Sequence, residues 1–285
     1  MKIEIPSLTA QDYQKLLPRP LLIDFSTLYN AFTLLVFITI CFIIFLHIVS
    51  RFARPKPLKL EAESTVLIVG GCMGIGREMA IEISKQFNST ILLVDVRRDL
   101  FEEVSQEIKK YNGLCECFYC DLGDPKSVEK FIKNIKESRP KIDFLLYNAG
   151  VLMPSPAWEA FETTFERALN VNFISMAKIV NSLLSNVEKS KGKHIAVVAS
   201  VASIIPGAKN LSSYFSTKHA IFAYVNSLRL DLKHHKKPIT VSIGCPYAIN
   251  TTMMNGFSSK MDFFLPVMTP EYVSARLIRD FVAKK

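Results

Sequence analysis

The chain has 285 residues, 49% hydrophobic and 21% charged, with six cysteines and a formal net charge of +9. This excludes a disordered chain, a collagen or coiled coil and a disulfide-stapled scaffold, and it leaves enough apolar mass for one large core plus an appendage. The mean hydropathy of +0.21 is high for a soluble domain, and the basic balance suits an anionic membrane face or a nucleic acid.

In chain order, the first segment is 1–27, followed by an apolar stretch. Residues 25–50 contain no Asp, Glu, Lys or Arg. As a helix, that run reaches about 39 Å, enough to cross a hydrocarbon layer with some tilt. It is apolar on every face, unlike a helix buried in a soluble core. The acids Asp12 and Asp24 before it, and the lack of a small-residue cleavage site after it, argue against a cleaved signal peptide. The predicted anchor is therefore 28–49. Arg51, Arg54, Lys56 and Lys59 follow, against only Lys15 and Arg19 before, so the larger C-terminal part is expected on the cytosolic side. Residues 50–63, with Pro55 and Pro57, read as a basic, stiff linker.

Residues 64–285 read as one α/β domain. Short β-type runs at 66–69, 90–94, 114–119, 142–147, 194–199 and 239–244 alternate with helical stretches such as 74–87, 99–111 and 125–136. That alternation predicts a Rossmann-type, doubly wound parallel sheet covered on both faces. Ligands of such sheets bind beyond the C-terminal strand ends, where strand order reverses. The first strand end carries Gly70, Gly74, Ile75 and Gly76 in a Gly-x-x-x-Gly-x-Gly turn that enters a helix. Such a turn lets backbone approach a pyrophosphate, with the helix N-terminus supplying N–H groups. The second strand ends at Asp95, 19 residues after Gly76. An acid there can accept both ribose hydroxyls, which favours NAD(H). Arg97 and Arg98 would suit the 2′-phosphate of NADP(H). Asp121 and Leu122 end the third strand, where a carboxylate either meets an adenine amino group or caps a turn.

Tyr214 and Lys218 lie four residues apart, on one face if helical. A neighbouring cation favours the phenolate, so the Tyr214 pKa is expected to fall toward neutrality. Cys115, Cys117 and Cys120 sit at alternate strand positions, without the looped pair a zinc site needs, so no metal is predicted. The basic residues are dispersed and make no aromatic-and-basic stripe, so no nucleic acid is predicted either.

Taken together, the glycine turn, Asn148-Ala149-Gly150 after the fourth strand, Ser200 after the fifth and Tyr214-x-x-x-Lys218 resemble the short-chain dehydrogenase/reductase family over about residues 64–282. The resemblance implies hydride transfer between a nicotinamide cofactor and an alcohol or ketone. It implies Tyr214 as general acid/base, Lys218 on the nicotinamide ribose, Ser200 on the substrate oxygen and Asn172 holding a water that relays protons. Asn148, Ala149 and Gly150 would line the cleft, and Pro246, Ile249 and Thr251 would form the loop at the carboxamide.

The chain departs from the family pattern at Val69 (usually Thr), Cys72 (often Ser) and Tyr247 (usually Gly). Ser200 precedes Tyr214 by 14 residues, one more than expected; Ser203, at 11, is too close. No catalytic group is lost. The anchored arrangement is most similar to the 17β-hydroxysteroid and retinol dehydrogenase branch. That implies a lipophilic steroid, retinoid or fatty acyl-derived substrate, membrane lipid as a partner, a homodimer, and an endoplasmic reticulum or lipid-droplet surface. The Met- and Phe-rich stretch 253–268 would cover such a ligand. Two alternatives stay open: a biosynthetic NADPH-dependent lipid ketoreductase, and a cofactor-binding membrane scaffold without turnover.

Overall fold

The computed structural model describes residues 25–53, 60, 61, 63–159, 161–254 and 267–282. The N-terminal segment up to residue 24, the linker residues 54–59 with their Arg and Lys, and 255–266 of the Met- and Phe-rich stretch lie outside the described residues. The chain divides into two compact units, between Arg54 and Pro55.

In the first unit, α1 spans Phe25–Ala53. Its stretch Leu28–Leu46 has a mean hydropathy of 2.4 and none of it is buried. Aliphatic and aromatic residues on all faces, interrupted only by uncharged residues such as Asn30, Thr33 and Thr39, give a helix without a charged side to turn to water. It is a candidate membrane span.

The second unit is a six-stranded sheet in the order β3-β2-β1-β4-β5-β6, with every strand pair parallel. The strands are β1 (Thr65–Val69), β2 (Thr90–Asp95), β3 (Leu114–Tyr119), β4 (Phe144–Tyr147), β5 (His194–Val198) and β6 (Thr240–Gly244). The connecting helices are α2 (Gly74–Gln86), α3 (Phe101–Lys109), α4 (Pro125–Ser138), α5 (Glu166–Leu169), α6 (Ser175–Glu188) and α7 (Ser212–His234), with α8 (Pro270–Phe281) last. Parallel strands need crossovers, and helical crossovers cover both faces of the sheet.

The sequence explains why these runs became strands. Their apolar residues are continuous, and the pleat sends alternate side chains to opposite faces. Leu67, Val69, Leu92, Val94, Leu145 and Tyr147 enter one core cluster with Ile179 and Leu183. Val66, Ile68, Ile91, Leu93, Phe144 and Leu146 enter a second with Met79, Ile83 and Phe281. Leu60 is also buried in this second cluster, ahead of the boundary at residue 64. Fully buried Tyr147 places its hydroxyl 2.8 Å from the Val171 carbonyl and 2.7 Å from Ser175 Oγ. This ties β4 to the base of α6, as a buried hydroxyl requires.

Helix starts follow the sequence where caps exist. Asp124 accepts from the Lys126 and Ser127 N–H groups ahead of Pro125 in α4, and Thr269 accepts from Tyr272 N–H ahead of Pro270 in α8. By contrast, α2 starts after Met73 with no side-chain cap. Strand order reverses between β1 and β4, which opens a crevice at their C-terminal ends.

Candidate active site

Three loops meet at the crevice. Gly70, with φ +79°, follows β1, and a side chain there would strike the Ala149 Cα at 2.6 Å. Only glycine takes this conformation at no steric cost. Asn148 Nδ2 donates to the Gly70 carbonyl at 2.9 Å, and a Cβ on Gly76 would lie 2.6 Å from that same Nδ2. The glycine turn and the loop after β4 are thus in backbone contact. A Cβ on Gly74 would meet Thr251 Cγ2 at 3.4 Å, so the loop after β6 reaches the turn as well. Ile249 pairs with Met268, and the Ile75 carbonyl accepts from Ser274 Oγ at 3.0 Å, which ties α8 to α2.

This geometry fits a dinucleotide. The N-terminus of α2, without a side-chain cap, presents its first N–H groups behind a turn in which Gly70 and Gly76 leave no room for a side chain, the arrangement that receives a pyrophosphate. Asp95 lies at the end of β2, where one oxygen accepts from Cys72 N–H at 3.0 Å and the other from Arg97 N–H at 3.1 Å. The Arg97 guanidinium lies along Asp99, at 2.6 and 2.9 Å, and the Arg98 guanidinium sits 3.9 Å from the centre of the Tyr119 ring. Both arginines are therefore already engaged. Asp121 acts as a turn former: Oδ1 accepts from Gly123 N–H at 2.8 Å and lies 3.6 Å from Arg167. Leu122 is buried beside it in the core.

At the other end of the crevice, α7 carries Tyr214 and Lys218 on one face. Lys218 Nζ lies 5.5 Å from the centre of the Tyr214 ring. Lys218 is buried, and a Cβ on Gly150 would meet its Nζ at 3.3 Å and Asn172 Oδ1 at 3.5 Å. Asn148 to Gly150, Asn172 and Lys218 therefore converge. Ser200 caps the short turn after β5 by accepting from Ala202 N–H at 3.2 Å, and its hydroxyl lies near enough to Tyr214 to hold down the phenol's pKa. Val201 N–H donates to the Pro246 carbonyl at 2.8 Å, which joins the loops after β5 and β6.

The electrostatics reverse one expectation. Burial raises the Tyr214 pKa, and the hydrogen bond from Ser200 opposes it. Burial also lowers the Lys218 pKa, to about 8. Removal from water disfavours the charged form of both groups, so the ammonium does not bring the phenol to neutrality. A four-residue spacing reveals proximity but says nothing of desolvation.

Asn172 sits in a π-helical turn, Asn170–Ile174, a break in the regular helical ladder. Its Oδ1 accepts from Val151 N–H at 2.7 Å, and its Nδ2 donates to the Val151 carbonyl and Thr217 Oγ1, both at 3.0 Å. The side-chain amide is thus used in tying the loop after β4 to α7. Two neighbours escaped the sequence reading. Thr217 was hidden inside the Tyr-x-x-x-Lys spacing. Cys245 lies close enough to Lys218 for their charges to interact, a pairing between α7 and the end of β6 that no local pattern signals. Elsewhere, Cys115 and Cys117 place their sulfurs 3.9 Å apart. Among the described residues, no three His, Cys, Asp or Glu side chains group as metal ligands.

Comparison with protein families matches residues 64–262 to the short chain dehydrogenase family. The chain is 28% identical over 255 residues to rat 17-beta-hydroxysteroid dehydrogenase 13, covering 88% of this chain and 83% of that protein. It is 25% identical over 234 residues to mouse epidermal retinol dehydrogenase 2, covering 81% of this chain and 74% of that protein. Among solved structures, an alcohol dehydrogenase from the archaeon Thermococcus sibiricus, complexed with 5-hydroxy-NADP, superimposes with a TM-score of 0.66 at 20% identity, over 76% of this chain and 89% of its own. That superposition establishes the shared fold.

Proposed function

This chain belongs to the short chain dehydrogenase family and is an NAD(P)-dependent oxidoreductase related to retinol and steroid dehydrogenases; on that premise we propose that it is held in a membrane by α1 and interconverts a lipophilic alcohol and its carbonyl. The observation that carries the reading is the convergence of Ser200, Tyr214 and Lys218 beside Gly150, at the end of a crevice whose other end is an uncapped glycine turn. Support for the lipophilic substrate comes from the relatives, named for a steroid and for retinol, and from the apolar Leu28–Leu46 stretch. The four basic residues after that stretch favour a cytosolic catalytic unit, and the likeness to the steroid and retinol dehydrogenases supports an endoplasmic reticulum or lipid-droplet surface.

The cofactor, when bound along the glycine turn, supplies the hydride chemistry. Gly70, Gly74, Ile75 and Gly76 would hold its pyrophosphate, with Asn148, Ala149, Gly150, Leu122 and Asp121 lining the cleft and Pro246, Ile249 and Thr251 closing the nicotinamide end. Asp95 would accept the adenosine ribose hydroxyls. The carboxylate of Asp95 at the end of β2 favours NAD(H) over NADP(H).

In carbonyl reduction, Tyr214 Oη gives its proton to the forming alkoxide, and in oxidation it takes one back. A Tyr214 whose pKa is raised is well supplied with the proton that reduction needs. Ser200 Oγ donates to the substrate oxygen and stabilises the charge that develops there. Lys218, still largely cationic below its pKa of about 8, holds positive charge behind the phenol and would hold the ribose hydroxyls of a bound cofactor. Asn172 fixes the loop after β4 against α7, and its main chain can hold the water beside Lys218 through which the proton is replaced.

The test is a lipid-substrate screen on the full-length protein in vesicles, following nicotinamide absorbance with each cofactor. Steroid, retinoid and fatty alcohols and carbonyls form the panel, and Tyr214→Phe is the control. Turnover of one class, lost in the variant, supports the reading. Cofactor binding with no turnover of any class would favour a scaffold.

A further inference from the structure

The loops that follow β4, β5 and β6 end in exposed apolar side chains. Trp158 is 85% exposed and Phe161 57%, in the connection after β4. Ile204 (58%) and Ile205 (41%) follow β5, and Met253 (42%) and Val267 (39%) belong to the connection after β6. Because β4, β5 and β6 are neighbours and parallel, these loops leave the same edge of the sheet. Two of them are joined: Ser155 bridges Leu211, Ser155 N–H donates to the Asn210 carbonyl at 2.9 Å, and Ser213 Oγ donates to the Met153 carbonyl at 3.4 Å. The same loops start at Asn148, Ser200 and Pro246, so the apolar residues form the rim of the mouth above Tyr214.

An apolar rim of this kind marks an interaction surface. We propose that this rim docks into the interfacial layer of a bilayer, so that Tyr214 faces the lipid from which its substrate enters. The inference rests on the reading above, that α1 holds the chain in a membrane. Several observations choose a bilayer as the occupant. The same chain carries the Leu28–Leu46 span, so a lipid surface is always within reach of a tether. The most exposed rim residue is the chain's single Trp, a side chain whose apolar ring and polar N–H favour the membrane–water boundary. A second protein copy on the rim would close the mouth, whereas lipid fills it with substrate.

The docking is apolar in character. Exposed Glu159 and Glu162 flank Trp158 and Phe161, and Lys209 is the basic residue of the neighbouring loop, so the rim carries no basic surplus. Neutral lipid should therefore suffice, with little effect of salt.

The single Trp makes this directly testable. The full-length protein is reconstituted into phosphatidylcholine vesicles, and Trp158 emission is read with two quenchers. Lipids brominated near the headgroup end of the acyl chain should remove more than half of the emission, and aqueous iodide should remove little. Phe161→Glu together with Ile204→Glu should lower the bromolipid quenching at least twofold, with circular dichroism unchanged and the protein still vesicle-bound. Iodide quenching like that of free tryptophan overturns the proposal. So does shielding from both quenchers, which would place a second copy or another part of the chain on the rim. Bromolipid quenching that survives both glutamates overturns it too. These readouts do not involve turnover, so failure of docking and failure of the oxidoreductase reading separate cleanly.

Discussion

Above β1–β3, the charged side chains of the crevice are already paired within the chain, and only the N–H groups at the start of α2 are left open. Asp95 accepts from two backbone N–H groups, Arg97 lies along Asp99, and Asp121 caps its own turn. Above β4–β6, the one hydrogen bond of buried Lys218 among the described residues is long, 3.5 Å to the Val198 carbonyl, and burial outweighs the opposing effect of Ser200 on Tyr214. One half of the crevice is a preformed cradle. The other keeps two ionisable groups in surroundings that disfavour their charges. Such an arrangement costs folding stability, and perturbed groups of this kind concentrate where chemistry is done. Recognition and reactivity thus divide along the sheet at the β1/β4 switch.

Four measurements break or sharpen that contrast. Tyr214→Phe should lower kcat roughly a thousandfold while cofactor affinity, read by fluorescence titration, stays within about twofold. Equal loss of cofactor binding would mean the phenol belongs to the cradle. Ser200→Ala should lower kcat about a hundredfold, with little change in KM, because it removes a donor needed as charge develops. Next comes Asp95→Ser, in the other half. It should weaken NAD(H) roughly tenfold, leave NADP(H) nearly unchanged, and spare kcat at saturating cofactor.

The smallest effect is on stability. Lys218 has a folded pKa of about 8, below its usual 10.5, so the unfolded chain holds this proton more tightly. Stability should therefore rise between about pH 8 and pH 10.5, with a penalty of about 3 kcal/mol fully present below that window. Lys218→Met should raise Tm by several degrees at pH 7, and the advantage should vanish toward pH 10 even though turnover is lost. A variant less stable than the parent at pH 7 would show that Lys218 is structurally satisfied.

Much of the fold was legible locally. The β-type runs matched all six strands within two residues; the inner strands read as continuous Val, Ile and Leu because they are covered on both faces, whereas the edge strand β3, LCECFY, is partly exposed. The glycine turn was legible because Gly70 and Gly76 occupy positions that admit no side chain. The shared face of Tyr214 and Lys218 was legible because helical spacing is a short-range property. Asn172 was found, but the use of its amide was not. Its partners lie 21 and 45 residues away, and only packing of the π-helical turn against α7 brings them together.

The chain's local chemistry specified the apolar α1, the alternating α/β order and the residue types at each strand end, since propensity, periodicity and glycine sterics act over a few neighbours. Charge states and exposure had to await the assembled sheet. Burial from several sides turned the Tyr214 pKa upward and the Lys218 pKa downward, and the parallel order of β4–β6 sends the loops that carry Trp158, Phe161 and Ile204 out from the same end of the sheet. Desolvation and surface juxtaposition are sums over residues distant in sequence, so they exist only once the strands have taken their places.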